Sequence, residues 1–197
     1  IPLAYGTDEN LQLIAIEILA DLAATEQCSE LFEYLNDRNW VVAYAVVGAV
    51  SRLQPDEAAC NILRRKLKGR ASDERWFAAL ALGELGRAEF IPLLIQLEND
   101  PNPQVRRAAL CALARSGSKA PEITQTVARA IQDRDCWVRL EAARAAGELG
   151  LLDLVPLLID QLQDCDLRVV EQAVIALGKL RASSSLKALH QLFSNQK

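Results

Sequence analysis

Arg75, Arg106 and Arg139 stand at the same place in three successive stretches of similar sequence. A row of guanidinium groups in equivalent positions can recognise phosphate or a propionate carboxylate through paired, charge-assisted hydrogen bonds. The same arginines can instead bond the carboxylate or carbonyls of a neighbouring turn and fix one stretch on the next, and that structural role is the expected one. Other chemistry is sparse. His190, the single histidine, falls in a polar final helix and reads as a solvated residue rather than a general base. The five cysteines, Cys28, Cys60, Cys111, Cys136 and Cys165, form no C-x-x-C pair, and with one histidine they suggest no zinc site. Cys60 and Cys111 are expected to fill helix surfaces, and Cys136 and Cys165 to lie in turns as reachable thiols without an adjacent histidine to activate them. No nucleophile elbow, P-loop, dinucleotide fingerprint or calcium loop is present, so the sequence carries no self-contained catalytic constellation.

Charge adds a second feature. Arg64, Arg65, Lys66, Lys68 and Arg70 crowd into seven residues of a chain whose formal net charge is −4. Such a run suits a helix C-terminus and can also attract an acidic partner, so it reads either as a solvated face or as the margin of a binding surface. The negative overall balance argues against a nucleic-acid binder, which would carry a basic excess over one face. Charged residues interrupt the apolar ones every few positions, and no stretch reaches the roughly 18 to 20 apolar residues of a membrane helix. Neither a secretory signal nor a disulfide framework is evident, which places the expected location in the cytoplasm.

These residues are positioned by a repeat. Gly83-Glu84-Leu85-Gly86, Gly147-Glu148-Leu149-Gly150 and Gly178-Lys179-Leu180-Arg181 are near-copies, with weaker equivalents at Ala114-Arg115-Ser116-Gly117, Ser51-Arg52-Leu53 and Ala20-Asp21-Leu22-Ala23, and the period is 31 to 33 residues. A fixed period of this size marks a stack of units, none of which buries its apolar face alone. Residues Asp133 to Leu162 serve as the template. Asp133-Arg134-Asp135 supplies a turn and a helix N-cap. Val138, Ala142, Ala145, Ala146 and Leu149 then form one apolar stripe at helical spacing, and Gly147 and Gly150 allow close helix contact and a left-handed stop. Pro156 opens a second helix whose buried side is Leu157, Leu158, Ile159 and Leu162. Asp100-Pro101-Asn102-Pro103 and Asp164-Cys165-Asp166 open further units, the latter with Val169, Ala173, Ala176 and Leu180 as its stripe. The second unit runs from Asp37-Arg38-Asn39 through Val42, Val46 and Leu53, and the first from Asp8 through Leu11, Ala15, Ile18 and Leu22. The expected fold is all-α: a right-handed α-solenoid of about six helix-turn-helix repeats, with no strands.

One unit departs from the template where it faces outward. At 100° per residue, Leu140, Glu141, Arg144 and Glu148 lie opposite the buried stripe. Their equivalents one repeat pair earlier are Trp76, Phe77, Leu80 and Glu84, and Tyr44 occupies the position of Trp76 one unit before that. Apolar, aromatic residues at such positions mark either an interaction surface or a patch covered by the long connection from Gln54 to Ser72. The candidate partner-binding residues are therefore Tyr44, Trp76, Phe77 and Leu80, with Arg64, Arg65, Lys68 and Arg70 at the edge.

The pattern Asp-x-x-x-Val-Arg-x-x-Ala-Ala-x-x-Leu-Gly-x-Leu-Gly, matched best by Asp135 to Gly150, is similar to HEAT repeats, and the short period resembles the HEAT-like repeats of the phycobilin (phycocyanobilin) lyase family. That resemblance covers nearly the whole chain. It implies a protein-recognition solenoid, without membrane insertion, that binds a phycobiliprotein, or a second HEAT-repeat subunit, during chromophore attachment or turnover. It also implies an open-chain tetrapyrrole such as phycocyanobilin as the cofactor to look for, held by arginines at its propionates and covered by aromatic residues. Because such repeats also build plain scaffolds, the alternative is a non-catalytic HEAT-repeat protein that binds another protein or a peptide along a second-helix surface carrying Glu89, Glu98, Asp153 and Asp160. Residues 1–197 are expected to form a single solenoid. Since the chain starts at Ile1 and contains no methionine, it is expected to lack its native start. The first unit departs furthest from the template, so the N-terminal end is expected to be the weaker one and the polar end from Ser194 to Lys197 to act as a cap.

Overall fold

The computed structural model describes residues 9–22, 28–36, 39–53 and 55–194. Asp8, the Asp37-Arg38 turn and the polar run after Ser194 lie outside the described residues. Twelve α-helices and no strand occur among the described residues. The chain divides into two compact units, Ile1–Leu93 and Leu94–Lys197.

In the first unit, α1 (Glu9–Leu22), α3 (Trp40–Val50) and α5 (Ser72–Leu85) pack in sequence order, while α2 (Cys28–Glu33) packs on α4 (Glu57–Lys66). Asn39 caps α3 by accepting the Val41 N–H at 3.0 Å, and Asp56 caps α4 by accepting the Ala59 N–H at 2.8 Å. The expected stripe of the second repeat is buried, with Val42, Val46 and Leu53 in the core. In α1 the expected register is wrong at two places: Leu11 and Ile18 are 50% and 49% exposed, whereas Ala15 and the unforeseen Ile16 are buried. This helix is apolar on several sides, through Leu11, Leu13, Ile14, Ile16 and Ile18, so its periodicity could not select the side that faces α3.

After α6 (Ile91–Gln96), the second unit contains α7 (Pro103–Arg115), α8 (Pro121–Ala130), α9 (Cys136–Leu149), α10 (Val155–Asp160), α11 (Leu167–Lys179) and α12 (Leu186–Ser194). The first helices α7, α9 and α11 pack side by side, with α8 against α9 and α10 against α11. Val138, Ala142, Ala145, Ala146 and Leu149 are all buried, as are Val169, Ala173, Ala176 and Leu180. Small alanines allow this close layering. A Cβ on Gly147 would stand 3.0 Å from the Ala176 Cα, so glycine permits the α9–α11 approach. Leu158 of α10 and Leu162 of the 3-10 turn that follows it carry the burial, while Leu157 and Ile159 are only half-buried beside them. Gly86 and Gly150 end α5 and α9 in the left-handed conformation expected of them, and Arg181 takes the same conformation at the equivalent place.

The repeated arginines hold successive turns together. Arg106 donates from Nε and Nη2 to the Asp133 carboxylate at 2.8 and 2.7 Å, and from Nη1 to the Asp100 carbonyl at 2.8 Å. Arg139 repeats the arrangement on Asp164 at 2.7 and 2.8 Å and on the Asp133 carbonyl at 2.9 Å. Each clamped carboxylate also accepts the N–H two residues on, from Asp135 or Asp166, at 2.9 Å. Arg75 donates to the Gly69 and Arg70 carbonyls in the same manner.

These bonds have a pH signature. The Arg139 guanidinium and the Asp166 N–H hold the Asp164 carboxyl below its ordinary value of 3.8 against the opposing effect of burial. Burial pushes Asp133 up, but Arg106 and the Asp135 N–H outweigh it and bring the net shift down. A carboxyl whose folded pKa is depressed contributes stability that is complete above its unfolded pKa and is lost as pH falls through the folded value. The urea midpoint should therefore lose this contribution progressively below about pH 4, and an Arg139→Met variant should show a smaller acid-dependent loss from Asp164.

Candidate functional site

Four aromatic rings gather on the first helices α3 and α5. Trp40 and Tyr44 lie one helical turn apart on α3, with ring centroids 6.1 Å apart at 88°. Tyr44 is the hub: it meets Trp76 edge-on at 5.7 Å and Phe77 at 5.8 Å, and Trp76 and Phe77 lie 4.7 Å apart. Such edge-to-face contacts orient the rings and restrict their rotamers. Trp40 is 65% exposed and Tyr44 is 44% exposed, while Trp76 and Leu80 are half-buried.

Phe77, expected from the sequence to face outward, lies inside. Phe77 is 4% exposed and belongs to the core, because its position turns toward the helix contacts of α5 rather than away from them. The equivalent Glu141 side chain in the template is itself only 12% exposed, so the position is not an outward one in either repeat. Phe77 supports the patch from beneath. Trp40 was missed by the template, which compared only first-helix equivalents of Leu140; its signal was the i−4 spacing from Tyr44. The described part of the connection from Gln54 to Ser72, residues 55–72, leaves Trp40 and Tyr44 exposed. Most of it is α4, which packs on α2 and α5.

The basic run is largely occupied within the chain. Arg64 reaches Glu57 at 2.5 Å and Glu89 at 3.5 Å and lies over the Phe90 ring, 5.3 Å from its centroid. Arg65 pairs with Glu33 at 2.9 Å, and the Lys66 ammonium, on a side chain that is 1% exposed, lies 3.3 Å from the same carboxylate. Lys68 and Arg70 remain on the surface. Arg64 and Arg65 thus hold repeats together as well as facing solvent, and the positive field expected of five cations is mostly cancelled. On the second-helix side the acids are partly used in the same way: Glu89 takes Arg64, and Glu98 takes Arg129 at 2.8 Å.

The remaining chemical candidates have structural surroundings. Arg106 and Arg139 are committed to their aspartate clamps, so neither offers a spare fork to an anion. Burial pushes the thiols of Cys28, Cys60 and Cys111 above their ordinary value. Cys136 is also raised, first by its hydrogen bond to Asp166, where Arg168 holds the carboxylate well below the usual range. A nucleophilic thiol needs the opposite shift. His190 is exposed on α12, in keeping with a solvated side chain. No cluster of three metal-binding side chains occurs among the described residues, and none of their helices is long and apolar enough to cross a membrane.

A family model described as HEAT repeats matches residues 65–128 and 123–197, more than half of the chain. The chain belongs to the HEAT-repeat family. This HEAT-repeat protein is similar over 94% of its length to the complex of CpcE and CpcF of phycocyanin lyase from Nostoc sp. PCC7120, covering 77% of that chain at 21% identity with a TM-score of 0.57. It is also similar to a designed armadillo repeat protein in complex with the peptide (KR)4, at 20% identity over 90% of this chain and 96% of that one, with a TM-score of 0.54. An engineered protein gives a TM-score of 0.53 at 21% identity, covering 91% of this chain and 94% of its own. At these identities the likenesses concern the fold. No curated protein matches the HEAT-repeat chain.

Proposed function

We propose that this HEAT-repeat protein is a non-catalytic recognition scaffold that docks a folded protein partner on the Trp40, Tyr44 and Trp76 face. The observation that carries the reading is the preorganised ring cluster, exposed at its outer members and anchored by buried Phe77. Large, rigid aromatic side chains supply contact area at low entropic cost and dominate many protein interfaces. The partner proposed is a phycobiliprotein, or a subunit that acts on one. Support comes from the likeness to the phycocyanin lyase complex and from the resemblance carried by Asp135 to Gly150.

Burial of Trp76 and Tyr44 at an interface contributes roughly 2 to 4 kcal/mol to association, from apolar area and ring contacts. Titration calorimetry with a purified phycobiliprotein should therefore show binding that falls at least about tenfold in a Tyr44→Ala/Trp76→Ala variant, since a tenfold change corresponds to about 1.4 kcal/mol. Helical circular dichroism of the variant should be unchanged, because Phe77 stays in place. Binding unaffected by both substitutions would show that this face does not meet the partner.

A bound open-chain tetrapyrrole is the rival reading, favoured by the same lyase likeness. In that reading the aromatic face covers the pigment plane and arginines other than Arg106 and Arg139 meet the propionates. A shift in the visible absorbance of phycocyanobilin on mixing would support it, whereas an unchanged spectrum is the outcome expected of a scaffold that reads protein surface.

A further inference from the structure

The outer face of α11 carries several large apolar side chains that solvent reaches. Leu167 is 75% exposed, Ile175 50% and Val174 38%, and together with Val170, Leu189 and Leu192 they line a groove of about 680 Å³. The repeat itself explains what such a face is for. Thirty-one residues earlier, Ala143 and Gly147 occupy the positions of Val174 and Gly178; both are buried, and Gly147 lets the Ala176 backbone of α11 approach. Gly178 keeps that glycine, yet a Cβ built on it would meet nothing within 4 Å. Thus α11 presents the same helix-docking surface that α9 uses, enlarged in apolar area.

One position on this face differs from the template. Arg139, which clamps the aspartate of the following turn, is replaced on α11 by Val170. Without that arginine, a further repeat of the template kind would bring a turn carboxylate to an apolar residue. The face suits a helix that offers apolar side chains at this point, and α11 is itself such a helix. Its charges are also self-complementary. Glu171 and Lys179 lie four residues before and four after Ile175, on the same side of the helix. Two α11 helices crossing antiparallel at Ile175 would place each Glu171 beside Lys179 of the partner subunit.

We propose that this face is an isologous docking surface for a second copy of the chain, formed by α11 against α11 with Val174, Ile175 and Gly178 at its centre. A two-fold interface of this kind is the commonest closed arrangement of soluble proteins, and the exposed apolar area is what it buries. The proposal is independent of the aromatic face, which lies on α3 and α5.

Sedimentation equilibrium of the full chain tests it, with a dimer of twice 21.7 kDa as the expected species. Ile175→Glu, which changes a half-exposed side chain, should leave helical circular dichroism intact and weaken dimerisation by about a hundredfold through an unpaired interfacial charge. Glu171→Lys and Lys179→Glu should each weaken the dimer, and the two together should restore it, because the reversed pair is again complementary. The exposed 4.0 Å pair of Lys179 with Glu148 adds little to the fold, so its loss does not confuse the reading. A chain that stays monomeric, a dimer indifferent to Ile175→Glu, a charge swap that fails to rescue, or growth into larger species with concentration would each overturn the proposal.

Discussion

Replacing Arg139 by alanine should destabilise the second unit by about 3 to 5 kcal/mol, the cost of leaving one member of a buried ion pair alone. The side chains of Arg139 and Asp164 are 14% and 10% exposed. The guanidinium makes two parallel bonds to the carboxylate and a third to the Asp133 carbonyl, so its removal leaves the carboxylate without a counter-charge, held only by the Asp166 N–H, and strips the Asp133 carbonyl of its donor. Lysine would not replace it, because an ammonium cannot span both carboxylate oxygens and the carbonyl in that fixed fork. A double change, Arg139→Met with Asp164→Leu, should recover most of the loss, since an apolar pair of similar volume carries no desolvation cost. Urea denaturation of the four proteins measures this directly. Equal losses in the single and double variants would mean that packing, rather than charge pairing, sets the effect.

Ala142→Gln should cost a similar amount, about 3 to 5 kcal/mol, for a different reason. Ala142 is fully buried on α9, and its neighbours Ala143, Ala145 and Ala146 are equally inaccessible. α9 is packed against both α7 and α11, so three added heavy atoms and an extra methylene have no space to enter. Overpacking accounts for about 1 to 3 kcal/mol, and a buried amide without partners adds about 1 to 3 more. Arg134→Gln on the exposed turn before α9 is the control and should change stability by less than about 0.5 kcal/mol. Thermal unfolding that treated the two variants alike would show that α9 is not the close-packed centre of its unit.

Both effects were legible in the repeat because the relevant residues recur. Val138, Ala142 and Leu149 share a helical period, and an arginine recurs one residue after each of the positions Val105 and Val138, so burial and clamp could be read together. Legibility failed where local pattern does not choose a side. In α1 apolar residues stand on several faces, and only packing on α3 decides that Ile16 rather than Leu11 or Ile18 goes inside. Phe77 was misplaced because the template position held Glu141, a charged residue that is nonetheless mostly buried beneath Arg144. A residue's polarity does not fix the exposure of its position when a long carboxylate is paired to an arginine. Trp40 escaped notice because it lies at the start of its helix, where the repeat comparison is weakest, although its contact with Tyr44 makes it the outermost ring of the site. The basic run was visible as composition, and Glu57 lies on the same helix as Arg64, but the pairing with Glu33 and Glu89 depends on residues from α2 and a distant turn, which sequence spacing cannot supply.

The aromatic face of α3 and α5 is the surface proposed to meet a protein partner. Hydroxyl-radical footprinting of the three tryptophans, with and without a purified phycobiliprotein, addresses this most directly, because Trp137 on α9 is an internal reference, 42% exposed and stacked under Arg168 at 4.1 Å. The partner should protect Trp40 and Trp76 while oxidation of Trp137 continues at its free rate. Protection of Trp137 alone, or unchanged oxidation of Trp40 and Trp76 in a complex shown to have formed, would contradict it.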